Sequence, residues 1–393
     1  MALRNLLRLF SSELLVVALG LLFGIFVARG FGVEAKGALA GIAALVGLGS
    51  ALSSLGVSYS AVKLGGSNTN RIFINFSFVG SIVGLLGLVV YAIQNPHQFD
   101  IFNYILELYF VLFLTIYNVQ SLAFILSRPS RKYYPLAIIF GQLFAFFALL
   151  LMFFNEQFEA IWITLATASG QFLVSFYYIK RIHLSELKVS VGSMTQYLKT
   201  SLNQAPIIYI TAISIHIPVL ALSSVSLSEV GIYSVAAASV LVIGKIPRLL
   251  HGMTIGGFMF NGSGARTDFL KLQFVMICLI ALFHLVSSFL IQALYGAQFL
   301  PAVSVSIILA YSMIPLIFIG LAEARMLVLE KYNAMIAYKF IACSLLVISI
   351  YSLQIFDFDN SAEAVAWCIF GYRYLSVLLL IFTTKLSSTK VFA

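Results

Sequence analysis

The feature that most restricts this chain is the length of its uninterrupted apolar runs. Residues 135–154 carry no charge at all, residues 272–294 carry only His284, and residues 10–28 carry only Glu13. About 20 mostly apolar residues are needed for a helix to cross about 30 Å of hydrocarbon. Barrel strands are shorter and alternate apolar with polar, which these runs do not. Composition agrees: 61% of the 393 residues are hydrophobic and 9% are charged, against about 25% charged in an ordinary soluble domain. Too few polar side chains exist to cover a water-facing surface. The expected fold class is an all-α polytopic membrane protein. Polar breaks predict twelve spans, near 10–28, 37–62, 72–93, 103–127, 135–154, 160–179, 200–222, 231–255, 272–294, 301–324, 334–355 and 363–384. The first run is too long for a signal-peptide core and lacks a small-residue cleavage site, so it is expected to be retained.

Charge sets the direction of threading. Lys and Arg concentrate in loops facing the cytoplasm in bacterial membranes. With a cytoplasmic N-terminus, most of the 23 basic residues fall on that side, among them Arg4, Arg8, Lys63, Arg71, Arg131, Lys132, Lys180, Arg181, Lys271, Lys331 and Lys385. The opposite loops are acidic, with Asp100, Glu156, Glu159, Glu229, Asp357 and Asp359, and hold only Arg29 and Lys36 as cations. Both termini are therefore expected in the cytoplasm. The net charge of +9 then reports topology, and no nucleic-acid partner is expected.

Three short phrases recur at matching loops. "VEAKG" at 33–37 parallels "SEVG" at 228–231, "LGGSN" at 64–68 parallels "FNGSG" at 260–264, and "RKYY" at 131–134 parallels "EKYN" at 330–333. Glu34 and Glu229 are 195 residues apart, Gly66 and Gly262 are 196, and Tyr133 and Tyr332 are 199. Ordered echoes at half the chain length favour duplication of a six-helix unit. Six crossings return the chain to its starting side, so the halves would be parallel, an arrangement found in alternating-access transporters. The expected bundles are 1–180 and 200–393. The connection 181–199 is either an amphipathic segment on the membrane surface or an ordinary loop.

Motifs for other chemistries are missing. Gly32 and Gly37 have the GxxxxG spacing, but Ala38 and Leu39 stand where a phosphate loop needs Lys and Ser or Thr. No HExxH, GxSxG or paired-carboxylate motif is present, so no catalytic residues are expected. Cys278, Cys343 and Cys368 lie in apolar runs without CxxC spacing, so neither metal ligands nor a disulfide framework is expected. The pairs Gly20/Gly24, Gly37/Gly41 and Gly80/Gly84 are spaced for close helix packing. Pro206, Pro218 and Pro247 are positioned to bend spans 7 and 8.

Ionisable residues inside spans carry the functional signal, because a charge in hydrocarbon needs a partner or a wet cavity. Arg373, in mid-span and flanked by Tyr372 and Tyr374, stands out, followed by Lys245 just before Pro247. Arg29 and Arg248 are further candidates for an anionic ligand, although Arg248, Glu323, Arg325 and Lys339 are also placed to snorkel to the interface. Glu13, Glu107, His216, Asn203 and Gln204 are candidates for coupling or for lining the cavity, with Tyr209 beside them. His284 reads as a hydrogen-bonded core residue. The embedded excess of cations over carboxylates points to an anionic ligand such as a phosphate or diphosphate.

The stretch "ARGFGVEAKGALAGIAALVGLGSALSSLGVSYS" resembles the opening of polysaccharide (O-antigen, Wzx-type) flippases of the multidrug/oligosaccharidyl-lipid/polysaccharide exporter superfamily. Arg29, Gly32, Glu34, Gly37, Leu55 and Gly56 carry the likeness. "SLSEVGIYSVAAA", through Glu229, Gly231 and Tyr233, resembles that family's eighth span, and "ALYGAQFLPAV" resembles its loop between spans 9 and 10. The resemblance implies export of an undecaprenyl-diphosphate-linked oligosaccharide across a bacterial inner membrane. It implies no cofactor beyond a coupling ion or the membrane potential. The partners implied are membrane lipid, the polyprenyl-diphosphate-linked glycan, a polysaccharide polymerase and a chain-length regulator. Many relatives carry an acidic residue in span 7 where this chain has His216. Alternative readings are a drug/cation antiporter of the same superfamily and a major-facilitator-type permease.

Overall fold

The computed structural model describes residues 2–54, 69–94, 104–126, 134–185, 201–202, 205–241, 243–244, 265–329, 331–355 and 361–386. Twelve α-helices occupy them: α1 Ala2–Ser53, α2 Thr69–Gln94, α3 Ile105–Leu126, α4 Tyr134–Asn155, α5 Ala160–Ser185, α6 Ala205–Ser223, α7 Leu227–Ser239, α8 Ala265–Tyr295, α9 Ala302–Tyr311, α10 Leu316–Val328, α11 Tyr332–Ile355 and α12 Ala362–Leu386. The protein is an all-helical, multi-pass membrane protein. Among the described residues nine helices are long and apolar enough to cross a bilayer, or ten if the bent pair α9–α10 counts as one span. Lipid-facing surfaces are apolar. On α8, Leu285 is 83% exposed and Phe289 is 75% exposed, which in water would invite aggregation and in hydrocarbon costs nothing.

One of the nine is a stretch of 37 residues, Val17–Ser53, and it is two crossings. A straight helix of that length would measure about 55 Å, nearly twice the hydrocarbon thickness. Gly32, with φ 88° and ψ −170°, breaks it. This positive φ is open to glycine and strained for any residue with a Cβ. Beyond it the chain folds back. Lys36 Nζ lies 2.9 Å from where a Cβ on Gly24 would stand, although twelve helical residues would separate the two by about 18 Å along a straight axis. The turn expected between spans 1 and 2 is thus compressed to a single non-helical residue.

The chain divides into two compact units, Met1–Ser224 and Val225–Ala393. In the first, α6 packs against α1, and α3 packs against both α2 and α5. Leu45, Leu88, Leu112, Ile161 and Leu220 form one core of this unit, and Phe73, Phe76, Tyr117, Ile125 and Ile179 form another. Small residues let backbones close up. A Cβ on Gly84 would lie 2.8 Å from Ser53 Oγ, and one on Gly80 would lie 3.0 Å from the Ser53 carbonyl oxygen. The tightest approach to backbone among the described glycines joins α4 to α5, where a Cβ on Gly170 would stand 2.6 Å from the Phe140 carbonyl oxygen and 3.0 Å from Gly141 Cα. Backbone cannot swing aside as a flexible side chain can.

In the second unit, α12 touches α7, α9, α10 and α11. Glu229, from the repeated "SEVG" phrase, sits in the first turn of α7 and accepts a 2.7 Å hydrogen bond from the amide of Ala362 at the start of α12. Its negative charge meets the positive ends of two helices. The family-like motif therefore ties α7 to the helix that carries Arg373. Replacing Gly170 by Val should prise α4 from α5 and lower stability by about 2 kcal/mol. Thermal unfolding in detergent checks this, with Gly87→Val, where a Cβ would meet nothing within 4 Å, as the harmless control.

Candidate functional site

The span expected near 301–324 is discontinuous. α9 ends at Tyr311, α10 begins at Leu316, and the two are bent by 45°. The cause is Pro315, which has no N–H to donate and whose ring clashes with the preceding turn. The chain tightens instead, with the Ile314 amide reaching the Tyr311 carbonyl at 3.2 Å and Leu316 reaching Met313 at 3.0 Å. The Ile314 carbonyl accepts from Gln273 Nε2 of α8 at 3.2 Å. Broken helices at membrane depth persist only where such partners exist or a cavity is lined.

Arg373 reaches this break from α12. Its Nη1 donates to Ser312 Oγ at 2.6 Å and contacts Met313 Sδ at 3.2 Å. Ser312 Oγ in turn donates to the Leu309 carbonyl at 2.6 Å. Gly244 makes room for Met313, whose sulfur and terminal methyl lie 3.4 Å from a Cβ built there. Tyr233 of α7 and Tyr372 of α12 complete the electrostatic surroundings. Among the described residues no carboxylate pairs with Arg373. A guanidinium has five N–H donors, and here the partners of one nitrogen are a hydroxyl and a thioether, both neutral.

The carboxylate nearest in kind is already neutralised. Glu323 of α10 accepts from Lys339 Nζ of α11 at 2.7 Å, with side chains only 15% and 13% exposed, and the Tyr338 hydroxyl donates to the same oxygen. The sequence left both charges as residues that could snorkel; the fold pairs them.

The remaining sequence candidates fall elsewhere. Lys245, Arg248, Asn203 and Gln204 lie outside the described residues, as does the side chain of Glu13. Arg29 is exposed near Gly32, Glu107 is half-buried in the first turn of α3, and Tyr209 is half-buried on α6. His216 packs its ring into the notch at Gly47, with Nε2 2.7 Å from a Cβ built there, and so joins α6 to α1. His284 is exposed and shares a 3.1 Å hydrogen bond with the Tyr311 hydroxyl, where a core position was expected. Lys36, expected in an outer loop, instead lies half-buried against Gly24. No group of three or more His, Cys, Asp or Glu suited to a metal occurs among the described residues.

The seat of Arg373 was missed because Ser312 and Met313 are unremarkable in an apolar run. The signal available was Pro315 in "YSMIP". Of the prolines noted in spans 7 and 8, Pro206 is the second residue of α6, where a missing N–H is harmless, Pro218 lies inside α6, and Pro247 lies outside the described residues.

No protein-family model matches the chain, and no curated protein sequence matches it. Solved structures do. A multidrug resistance MATE family transporter of the MOP superfamily, in an inward-facing conformation, aligns over 95% of this chain and 94% of its own, at 14% identity and a TM-score of 0.63. The lipid II flippase MurJ aligns over 96% of this chain and 87% of its own, at 16% identity and a TM-score of 0.67. A MATE transporter in complex with MaL6 aligns over 98% and 96%, at 14% identity and a TM-score of 0.63. The chain has the fold of these transporters.

Breaking the Glu323–Lys339 pair from one side should strand a buried charge. Lys339→Met alone is expected to cost about 3 kcal/mol, and adding Glu323→Leu should restore most of it. A double-mutant cycle by thermal unfolding measures the coupling, and additive losses would contradict the pairing.

Proposed function

We propose that the protein is a flippase that moves an undecaprenyl-diphosphate-linked oligosaccharide, an O-antigen or other surface polysaccharide unit, from the cytoplasmic to the periplasmic leaflet of a bacterial inner membrane. The observation that carries this reading is Arg373: a cation inside the second unit, held by Ser312 and Met313 at a helix break, with donors left over and no carboxylate among the described residues. A diphosphate is the natural acceptor for such donors, and Arg binds phosphate oxygens with two parallel hydrogen bonds. The sugars would lie on the polar side of the site and the far end of the tail in the bilayer. Alternating access would expose the site to one leaflet and then the other, with both termini in the cytoplasm and Lys245 as a second contact for the anion. A polymerase and a chain-length regulator would take the product onward.

The second reading is a drug/cation antiporter, favoured by the likeness to MATE transporters. A cationic cargo calls for an available embedded carboxylate. Glu323 is engaged by Lys339 and Tyr338, and Glu229 by the amide of Ala362, which weighs against it.

Deletion of the gene followed by lipid analysis tests the proposal. Undecaprenyl-linked oligosaccharide should accumulate on the cytoplasmic leaflet, and wild-type protein should clear it. Arg373→Gln and Lys245→Gln should each restore less than about a tenth of that flux, a loss of at least about 1.4 kcal/mol, at normal protein levels. Full clearance by both variants would remove the diphosphate site, and no accumulation on deletion would remove the flippase reading.

A further inference from the structure

The helix break has two faces. Ser312 and Met313 turn toward Arg373, while Ile314 and Pro315 line a groove of about 400 Å³ between α8, α10 and α12. Phe318, Tyr374, Val377 and Leu378 form its walls, and Gln273 stands where the groove meets the break. Its Nε2 is engaged by the Ile314 carbonyl and its Oε1 is buried without a partner among the described residues, while every other side chain named in the lining is apolar or aromatic. The groove opens on the surface that faces hydrocarbon, since Leu378 is 64% exposed and Tyr374 is 37% exposed. Its volume falls within the range of small-molecule sites, about 300–1,000 Å³.

We propose that this groove holds the proximal isoprenoid tail of the lipid-linked substrate while its diphosphate meets Arg373; this rests on the flippase reading above. The inference comes from adjacency. Arg373 and Tyr374 are neighbours on α12, one facing the polar side of the break and the other the apolar groove. An amphiphile with a doubly charged head and a branched hydrocarbon tail matches both faces within one helical turn. A free phosphate or a soluble sugar would leave the groove unused. The groove therefore selects for the lipid carrier, where the guanidinium alone selects only for negative charge.

Photo-crosslinking of the full chain in nanodiscs tests this. The probe is undecaprenyl diphosphate bearing a diazirine on an isoprene unit near the head. Label should map to residues 314–318 and 374–378, be displaced by unlabelled undecaprenyl diphosphate, and survive an excess of phosphatidylglycerol. Val377→Trp, which fills the groove, should cut this labelling by about tenfold, equivalent to about 1.4 kcal/mol. Should that variant fail to insert, the wild-type map decides alone. Label spread over the lipid-facing sides of α4 and α8 would overturn the proposal, as would equal displacement by phosphatidylglycerol, which would make the groove a site for ordinary bilayer lipid. Transport is read separately: a label map confined to the groove in a protein that moves no glycolipid would sink the flippase reading and leave the groove assignment standing.

Discussion

Hydrocarbon supplies no hydrogen bonds, and many polar groups among the described residues are arranged around that lack. Backbone amides are consumed within helices, which is why the chain folds as helices throughout its described length. Serines and threonines turn inward on their own helix: Ser77 donates to Phe73, Thr164 to Ala160, Thr211 to Ile207 and Ser376 to Tyr372, all one turn back. Such local bonds satisfy the hydroxyl without asking anything of a neighbouring helix. Longer reaches between helices are fewer and each does something definite. Asn118 joins α3 to the Ala168 carbonyl of α5, Glu229 anchors the start of α12, and Gln273 covers the carbonyl exposed at the broken helix.

Within that frame two groups of buried charge described in the second unit behave oppositely. Glu323 and Lys339 neutralise one another, with Tyr338 completing the carboxylate's coordination. This is the arrangement expected of structural charges, for which desolvation is offset by direct pairing. Arg373 is held instead by groups that carry no charge. A hydroxyl and a thioether keep the guanidinium in place, and among the described residues no carboxylate pairs with it. The helix break supports the same arrangement, because Pro315 turns the chain where the arginine needs partners. An anion arriving there would find donors already oriented, and preorganisation of this kind lowers the cost of binding.

Much of this could be read from sequence, and what could not has physical reasons. Apolar run length located the helices, from 134–155 against an expected 135–154 to 362–386 against 363–384, because hydrophobic thickness is a strong constraint. Expected span 8 is described only over α7 and a few following residues, so its inner half, with Lys245 and Arg248, rests on sequence alone. Arg373 was legible because a charge in mid-span is costly wherever it points. Its partners were not, since serine and methionine in an apolar run carry no such cost. The pairing of Glu323 with Lys339 depends on two helices meeting across a loop, which periodicity along one helix does not report. Lys36 was misplaced for a related reason: proximity to a turn suggested exposure, but the single-residue break at Gly32 folds its side chain back onto Gly24.

The sign of the ligand is the heart of the matter, and the protein carries its own reporter. It has two tryptophans, Trp162 on α5 and Trp367 on α12. The second lies six residues from Arg373, about 9 Å along the helix. With Trp162→Phe in place, the fluorescence of Trp367 can be titrated in nanodiscs with undecaprenyl diphosphate and, separately, with the lipophilic cation tetraphenylphosphonium. A site built on Arg373 gives a saturable change with the diphosphate that Arg373→Gln abolishes, and none with the cation. Saturable binding of the cation, with the diphosphate silent, would contradict it and favour an antiporter.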